Sequence, residues 1–172
     1  MNQDRKLYRF SPINETKVLI EAVDYVSKEA TKMLFRDQGY TLPIEYVTIF
    51  SHYEDEYNEL VKLSSELGLQ SQTNNGVKIE LINPLESFAM SLDVNGERED
   101  VTHLIKAIRI RKPDPYRMQV GCCDFEYGLD YTWLSTTETL ANHNIRHIER
   151  EDIDMVEFYD PNFDILGYVV KQ

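Results

Sequence analysis

The feature of this chain with the clearest chemical potential is a cluster of basic residues in an acidic sequence. Five of the eighteen lysines and arginines fall within twelve positions. They are Lys106, Arg109, Arg111, Lys112 and Arg117. On a strand, Arg109 and Arg111 project from the same face, because side chains alternate between faces. Two forked guanidinium groups on one face could bind a carboxylate or a phosphate.

The same two arginines could instead be neutralised inside the protein. Charged residues on strands are usually solvated or paired with charges on neighbouring strands, and this favours the second interpretation. We therefore predict that at least one arginine lies within salt-bridge distance of a carboxylate. The candidate partners are Glu80, Asp124, Glu126 and Glu157.

Glu157 is notable because it lies in an apolar segment, on the strand face shared by Met155 and Tyr159. Burial would raise the pKa of its carboxyl unless a cation pairs with it. Such a group could act as a general base or a metal ligand. An ion pair with Arg109 or Arg111 is simpler, and we favour it.

Three further residues are candidates for a ligand cavity. Cys122 and Cys123 are adjacent, which disfavours a disulfide between them and lacks the spacing of a zinc site. On a strand they point to opposite faces, so one thiol is buried and the other could line a cavity. We assign Cys123 to the ligand-binding set. Tyr46 joins it as an aromatic wall with a polar hydroxyl, although a core position is the alternative.

Composition excludes several classes of partner. The chain has 172 residues, 42% of them hydrophobic, and a formal net charge of −12. This charge argues against nucleic acid and against anionic membranes. The sequence shows no signal peptide or membrane span, and it lacks a disulfide framework. We therefore expect a cytoplasmic protein, with a small anionic ligand and a homodimer as candidate partners.

Alternating helices and strands must position these residues. The apolar spacing predicts helices over residues 14–36, 53–67 and 129–141. It predicts strands over residues 44–50, 77–82, 104–112, 118–126, 145–149, 154–159 and 164–170. Residues 84–103 are left unassigned, and residues 94–97 could form either a hairpin turn or a loop.

The order of these elements predicts an α+β protein whose two halves follow the same plan. We expect one domain over residues 1–172. It contains an N-terminal helical segment (1–40), a first module (41–112) and a second module (113–172).

This repeated order of elements resembles the vicinal oxygen chelate superfamily, as does the closing segment Glu157-Phe158-Tyr159-Asp160-Pro161 followed by Leu166. Glyoxalase I and the extradiol dioxygenases belong to this superfamily. The N-terminal helical segment makes the layout most similar to the YecM-type proteins. The resemblance covers roughly residues 40–172. It implies two βαβββ-like modules that form a curved mixed sheet with a cleft.

The resemblance also implies where a divalent metal would bind, through His and Glu side chains from both modules. Tyr46 and Gly167 stand where such ligands are expected, and Cys122 and Cys123 lie near a further expected His. Neutral Tyr and Gly cannot replace them. We therefore expect no metal or cofactor, and a metal-independent small-molecule binding protein or degenerate enzyme. The alternatives are a metal-dependent lyase or dioxygenase with atypical ligands, and a protein-interaction module with an acidic surface.

Overall fold

The structure is a computed structural model, and it describes residues 12–126 and 144–171. Two helices lie in these ranges, α1 (Thr16–Gln38) and α2 (Glu54–Ser64). The first four strands are β1 (Ile44–Phe50), β2 (Gly68–Thr73), β3 (Gly76–Val94) and β4 (Glu97–Arg111). The other four are β5 (Gly121–Phe125), β6 (Ile145–Arg150), β7 (Ile153–Tyr159) and β8 (Ile165–Val170). The predicted α+β class is confirmed. The helix predicted over residues 129–141 lies outside the described residues.

All eight strands form one mixed sheet, in the order β2-β3-β4-β1-β5-β8-β7-β6. In each half of the sheet, the first strand pairs in parallel with the last: β1 with β4, and β5 with β8. The remaining pairs are antiparallel, including the central β1–β5 pair that joins the two halves. The strands nearest the middle of the sheet are therefore β4, β1, β5 and β8.

Helix α1 covers one face of this sheet because its apolar residues recur at three- and four-residue steps. Leu19, Val23, Val26 and Ala30 are fully buried there, together with strand residues such as Val47, Ile49, Ile108 and Val156. The helix begins at Thr16, two residues after the predicted start at residue 14. It ends at Gly39, whose φ of 75° is readily adopted by glycine.

The region left unassigned, residues 84–103, forms the outer part of the β3–β4 hairpin. Its turn is Asn95-Gly96, with φ values of 56° and 83°. Polar contacts hold this hairpin against α1. Ser87 Oγ lies 2.6 Å from the Ser27 hydroxyl and donates to Asp24 Oδ1 at 2.8 Å, and Thr31 Oγ1 lies 2.9 Å from His103 Nε2. His103 is buried, and burial lowers the pKa of its imidazole.

Candidate functional site

The candidate site lies on the sheet face opposite α1 and α2, which no helix of the described residues covers. We call it the helix-free face. It carries alternate residues of five strands, because side chains alternate along each strand. These residues are Tyr46, Thr48 and Phe50 on β1; Arg109 and Arg111 on β4; Cys122 and Asp124 on β5; Leu166 and Tyr168 on β8; and Glu157 on β7.

Strand register brings two rows of these side chains together. In the first row, Arg109 is opposite Thr48, and Thr48 is opposite Cys122. In the second row, Tyr46 is opposite Asp124, which is opposite Tyr168 on β8. The site is thus assembled from both halves of the chain, with its chemistry on the four central strands.

Aromatic rings hold the two predicted arginines. The Cζ atom of Arg109 lies 4.4 Å from the centre of the Tyr46 ring, and that of Arg111 lies 5.4 Å from the Phe50 ring. Such contacts attract a cation to the negative face of the ring. The arginines share one face, as predicted. Within residues 12–126 and 144–171, neither Arg109 nor Arg111 lies within 4.0 Å of a carboxylate oxygen. The predicted salt bridge to a carboxylate of these residues is therefore wrong.

Arg109 also has an unused donor. Its Nε atom is buried, and no described residue accepts a hydrogen bond from it. A buried N–H group without an acceptor is energetically unfavourable unless another molecule supplies one. Arg109 therefore combines an unsatisfied Nε–H donor with a positive charge that has no carboxylate within 4.0 Å among the described residues.

Asp124 is the acidic counterpart of Arg109, and its side chain is almost fully buried. Burial is the main reason that its carboxyl pKa rises from 3.8 to about 6. The positive charge of Arg109 and a hydrogen bond from the Tyr46 hydroxyl oppose this rise. Cys122 Sγ lies 3.8 Å from Asp124 Oδ2. The sequence identified Asp124 only as a possible ion-pair partner and did not place it in the site.

Glu157 lies on the helix-free face and is paired with a cation other than the predicted one. Its Oε1 atom lies 2.5 Å from Arg146 Nη2 on the neighbouring strand β6. Its Oε2 atom accepts a hydrogen bond of 2.7 Å from the Tyr168 hydroxyl. The expected ion pair of Glu157 with Arg109 or Arg111 is therefore wrong. Its carboxylate is already bound on both sides.

Two residues assigned from the sequence point away from this face. Cys123 is fully buried under α1, with Sγ 3.7 Å from the Val26 carbonyl oxygen, so its assignment to the ligand-binding set is wrong. Cys122 is the thiol on the helix-free face. Gly167 also faces the helix side, since an added Cβ would lie 3.1 Å from the Phe125 ring. Tyr168 is the β8 residue that faces the site.

The central side chains do not form a set of metal ligands. Tyr46, Arg109, Asp124 and Tyr168 offer one carboxyl, two phenols and a cation. Burial raises the pKa of both phenols, which keeps them neutral. No three His, Cys, Asp or Glu residues of the described part of the chain are grouped closely enough to hold a metal. Arg109 would also repel a divalent cation. The residues do not fit the metal of the resembled enzymes.

The segment that connects β4 to β5 adds a third arginine. The Cζ atom of Arg117 lies 4.6 Å from the Phe50 ring, and its Nε atom lies 3.6 Å from Asp114 Oδ2. Arg117 and Asp114 line a cavity of about 360 Å³ that also reaches Arg146 and Glu157. The basic cluster in the sequence included Arg117, and the structure places it against the same ring as Arg111.

Comparison with known proteins identifies the fold class and no family. No family model matches the chain, and no curated protein is significantly similar in sequence. A solved structure described as "Structural Genomics, Protein EC4020" is similar, with a TM-score of 0.62 and 11% sequence identity. The match covers 96% of this chain and 92% of that chain. At this identity the likeness shows the fold alone. None of the described helices combines the length and apolar character needed to cross a bilayer.

Proposed function

We propose that this chain is a metal-independent protein of glyoxalase-like fold that binds a small anionic ligand at Arg109. The modules of the proposed fold are residues 41–112 and 113–172. The division into two modules is supported by the repeated topology, in which the first strand of each half pairs in parallel with the last. In this arrangement the helix-free face corresponds to the cleft between the modules.

The observation that carries the functional proposal is the state of Arg109. Its guanidinium stacks on Tyr46, and no carboxylate oxygen of the described residues lies within 4.0 Å of it. A planar guanidinium held in one orientation is suited to bidentate binding of a carboxylate or phosphate. Because the site is preorganised, a ligand would not have to bear the cost of ordering this side chain.

The strongly acidic composition of the chain makes the positive charge at Arg109 a local exception. A net charge of −12 repels anions at long range, so a positively charged strip here is not part of a generally basic surface. The nearby carboxyl of Asp124 is buried, with a raised pKa, and therefore takes up a proton more readily than an exposed aspartate. Below about pH 6, where this carboxyl is mostly protonated, it repels a bound anion less.

A thermal-unfolding screen tests the proposal. Small carboxylates and phosphates should raise the melting temperature of the wild type in a saturable manner, whereas amines of similar size should not. The variant Arg109→Met keeps much of the apolar contact with Tyr46 but lacks the charge and the donor. It should unfold near the wild-type temperature without ligand and should lose the stabilisation by anions.

The matched control is Lys106→Met, which removes one positive charge from an exposed position on the same strand. This variant should retain the response to anions. The proposal is wrong if no anion stabilises the wild type, or if Arg109→Met responds as the wild type does.

A further inference from the structure

We infer that the ligand is a dianion of the dicarboxylate type, with one acidic group at Arg109 and the second between Arg111 and Arg117. This inference rests on the proposed anion binding at Arg109. It adds the number and the placement of the ligand's charges.

The proposed position of the second acidic group lies near the Phe50 ring, which both Arg111 and Arg117 contact. The Cζ atoms of Arg111 and Arg117 lie 5.4 Å and 4.6 Å from the centre of the Phe50 ring, which is 3% exposed. Two guanidinium groups from different segments therefore pack against the same ring at the end of β1. Their mutual repulsion is reduced when an anion lies between them.

The carboxylates near this position leave room for an anion. Among the described residues, Arg111 has no carboxylate oxygen within 4.0 Å. Within the described part of the chain, Arg117 pairs only with Asp114. The oxygen lies 3.6 Å from its Nε atom, which is longer than a hydrogen bond. The Arg117 Nε atom is buried and donates no hydrogen bond to a described residue. A ligand carboxylate would supply the missing acceptor.

The first position lies two residues away on β4. Alternate residues of a strand are separated by about 7 Å along the backbone. The guanidinium groups of Arg109 and Arg111 contact rings that are four residues apart on β1, so their charges are held apart. Lys78, opposite Arg109 on β3, is paired with Glu80 at 2.7 Å and does not need a ligand charge. A single carboxylate cannot bind bidentately at both arginines across this separation. Two carboxylates joined by a short chain can do so.

The ion pairs around these arginines point the same way. Four cations lie near the Tyr46 and Phe50 rings: Lys78, Arg109, Arg111 and Arg117. Lys78 forms an ion pair with Glu80, and Arg117 forms one with Asp114. Arg109 and Arg111 remain without a carboxylate within 4.0 Å in the described ranges. Asp124 influences Arg109 only from beyond that distance. A dianion would place one carboxylate at each arginine, and the half-buried ring of Tyr46 would contact its methylene groups.

Isothermal titration with succinate and butyrate tests this inference directly. Both acids contain four carbon atoms, and they differ in the number of carboxylates. Each additional charge-assisted contact is worth about tenfold in affinity. Succinate should therefore bind to the wild type at least about tenfold more tightly than butyrate. Glutarate and pentanoate form a second matched pair for a longer spacing.

Substitution of the second position separates the possible outcomes. Arg111→Met should reduce succinate affinity to about that of butyrate and leave butyrate affinity unchanged, whereas Arg109→Met should weaken both acids. Lys106→Met should alter neither, and a melting curve of each variant verifies that it is folded. Equal affinity of the wild type for both members of each pair would overturn the dianion inference but leave anion binding at Arg109 intact. No binding of any acid would overturn both.

Discussion

Replacing Asp124 by Asn should stabilise the folded protein near neutral pH. Burial raises the pKa of this carboxyl from 3.8 to about 6, so its ionised form is less favourable in the folded state than in the unfolded state. A difference of one in pKa corresponds to about 1.4 kcal/mol, which places the cost of ionised Asp124 at up to about 3 kcal/mol. Asn can still accept the hydrogen bond from Tyr46, and it carries no charge.

The sign of the pH dependence follows from proton binding. Between pH 3.8 and about 6 the folded state binds more protons at Asp124 than the unfolded state does, so stability falls as the pH rises through this window. Urea unfolding at pH 7.5 should therefore show Asp124→Asn to be more stable than the wild type, and this advantage should shrink toward pH 4.5. The exposed substitution Glu99→Gln serves as the control. An Asn variant that is less stable at pH 7.5, or a difference that does not change with pH, would refute the reasoning.

Two further changes test other parts of the structure. Burial lowers the pKa of His103 below 6.5, so the wild type should lose stability as the pH falls below about 6.5. Melting curves of His103→Gln should depend less on pH in this range. An unchanged pH dependence would contradict the reasoning. Gly121→Ala would place a Cβ 2.6 Å from the Thr48 carbonyl oxygen and 2.9 Å from Val26 Cγ2. It should cost about 2 kcal/mol in urea unfolding, and an unaltered midpoint would show that the contact relaxes.

The sequence was sufficient to predict the elements whose periodicity is strong. Helix α1 and strands β1, β7 and β8 lie close to the predicted ranges, because their apolar residues repeat with the period of a helix or a strand. Strand β2 was missed for a physical reason: its residues are mostly exposed at the edge of the sheet, so burial imposes no alternation. Residues 84–103 are also mostly exposed, so they too lack an alternating pattern from which a strand could be predicted.

The candidate site was only partly predictable, because alternation does not say which face a residue occupies. The sequence correctly placed Cys122 and Cys123 on opposite faces, but it did not show which of them lies under α1. That choice is made by the packing of Val26 and its neighbours on the sheet.

Contacts that depend on strand pairing could not be predicted from the sequence either. Arg109 meets Tyr46, and Glu157 meets Arg146, because of a register that depends on contacts between distant segments. No local pattern encodes that register. The sequence signal that did succeed was chemical: basic residues concentrated in an acidic chain include the arginines of the helix-free face. Asp124 could have been found from its position two residues beyond Cys122, had the correct face been known.

The most direct test of the central claim is a nuclear magnetic resonance titration of the arginine Nε–H signals with succinate. The signal of Arg109, assigned by its loss in Arg109→Met, should shift and saturate, because this buried donor gains an acceptor when the ligand binds. The signal of exposed Arg98 is the internal control and should barely move. An Arg109 signal that remains unchanged up to millimolar succinate, or that drifts without saturation as Arg98 does, would contradict the account.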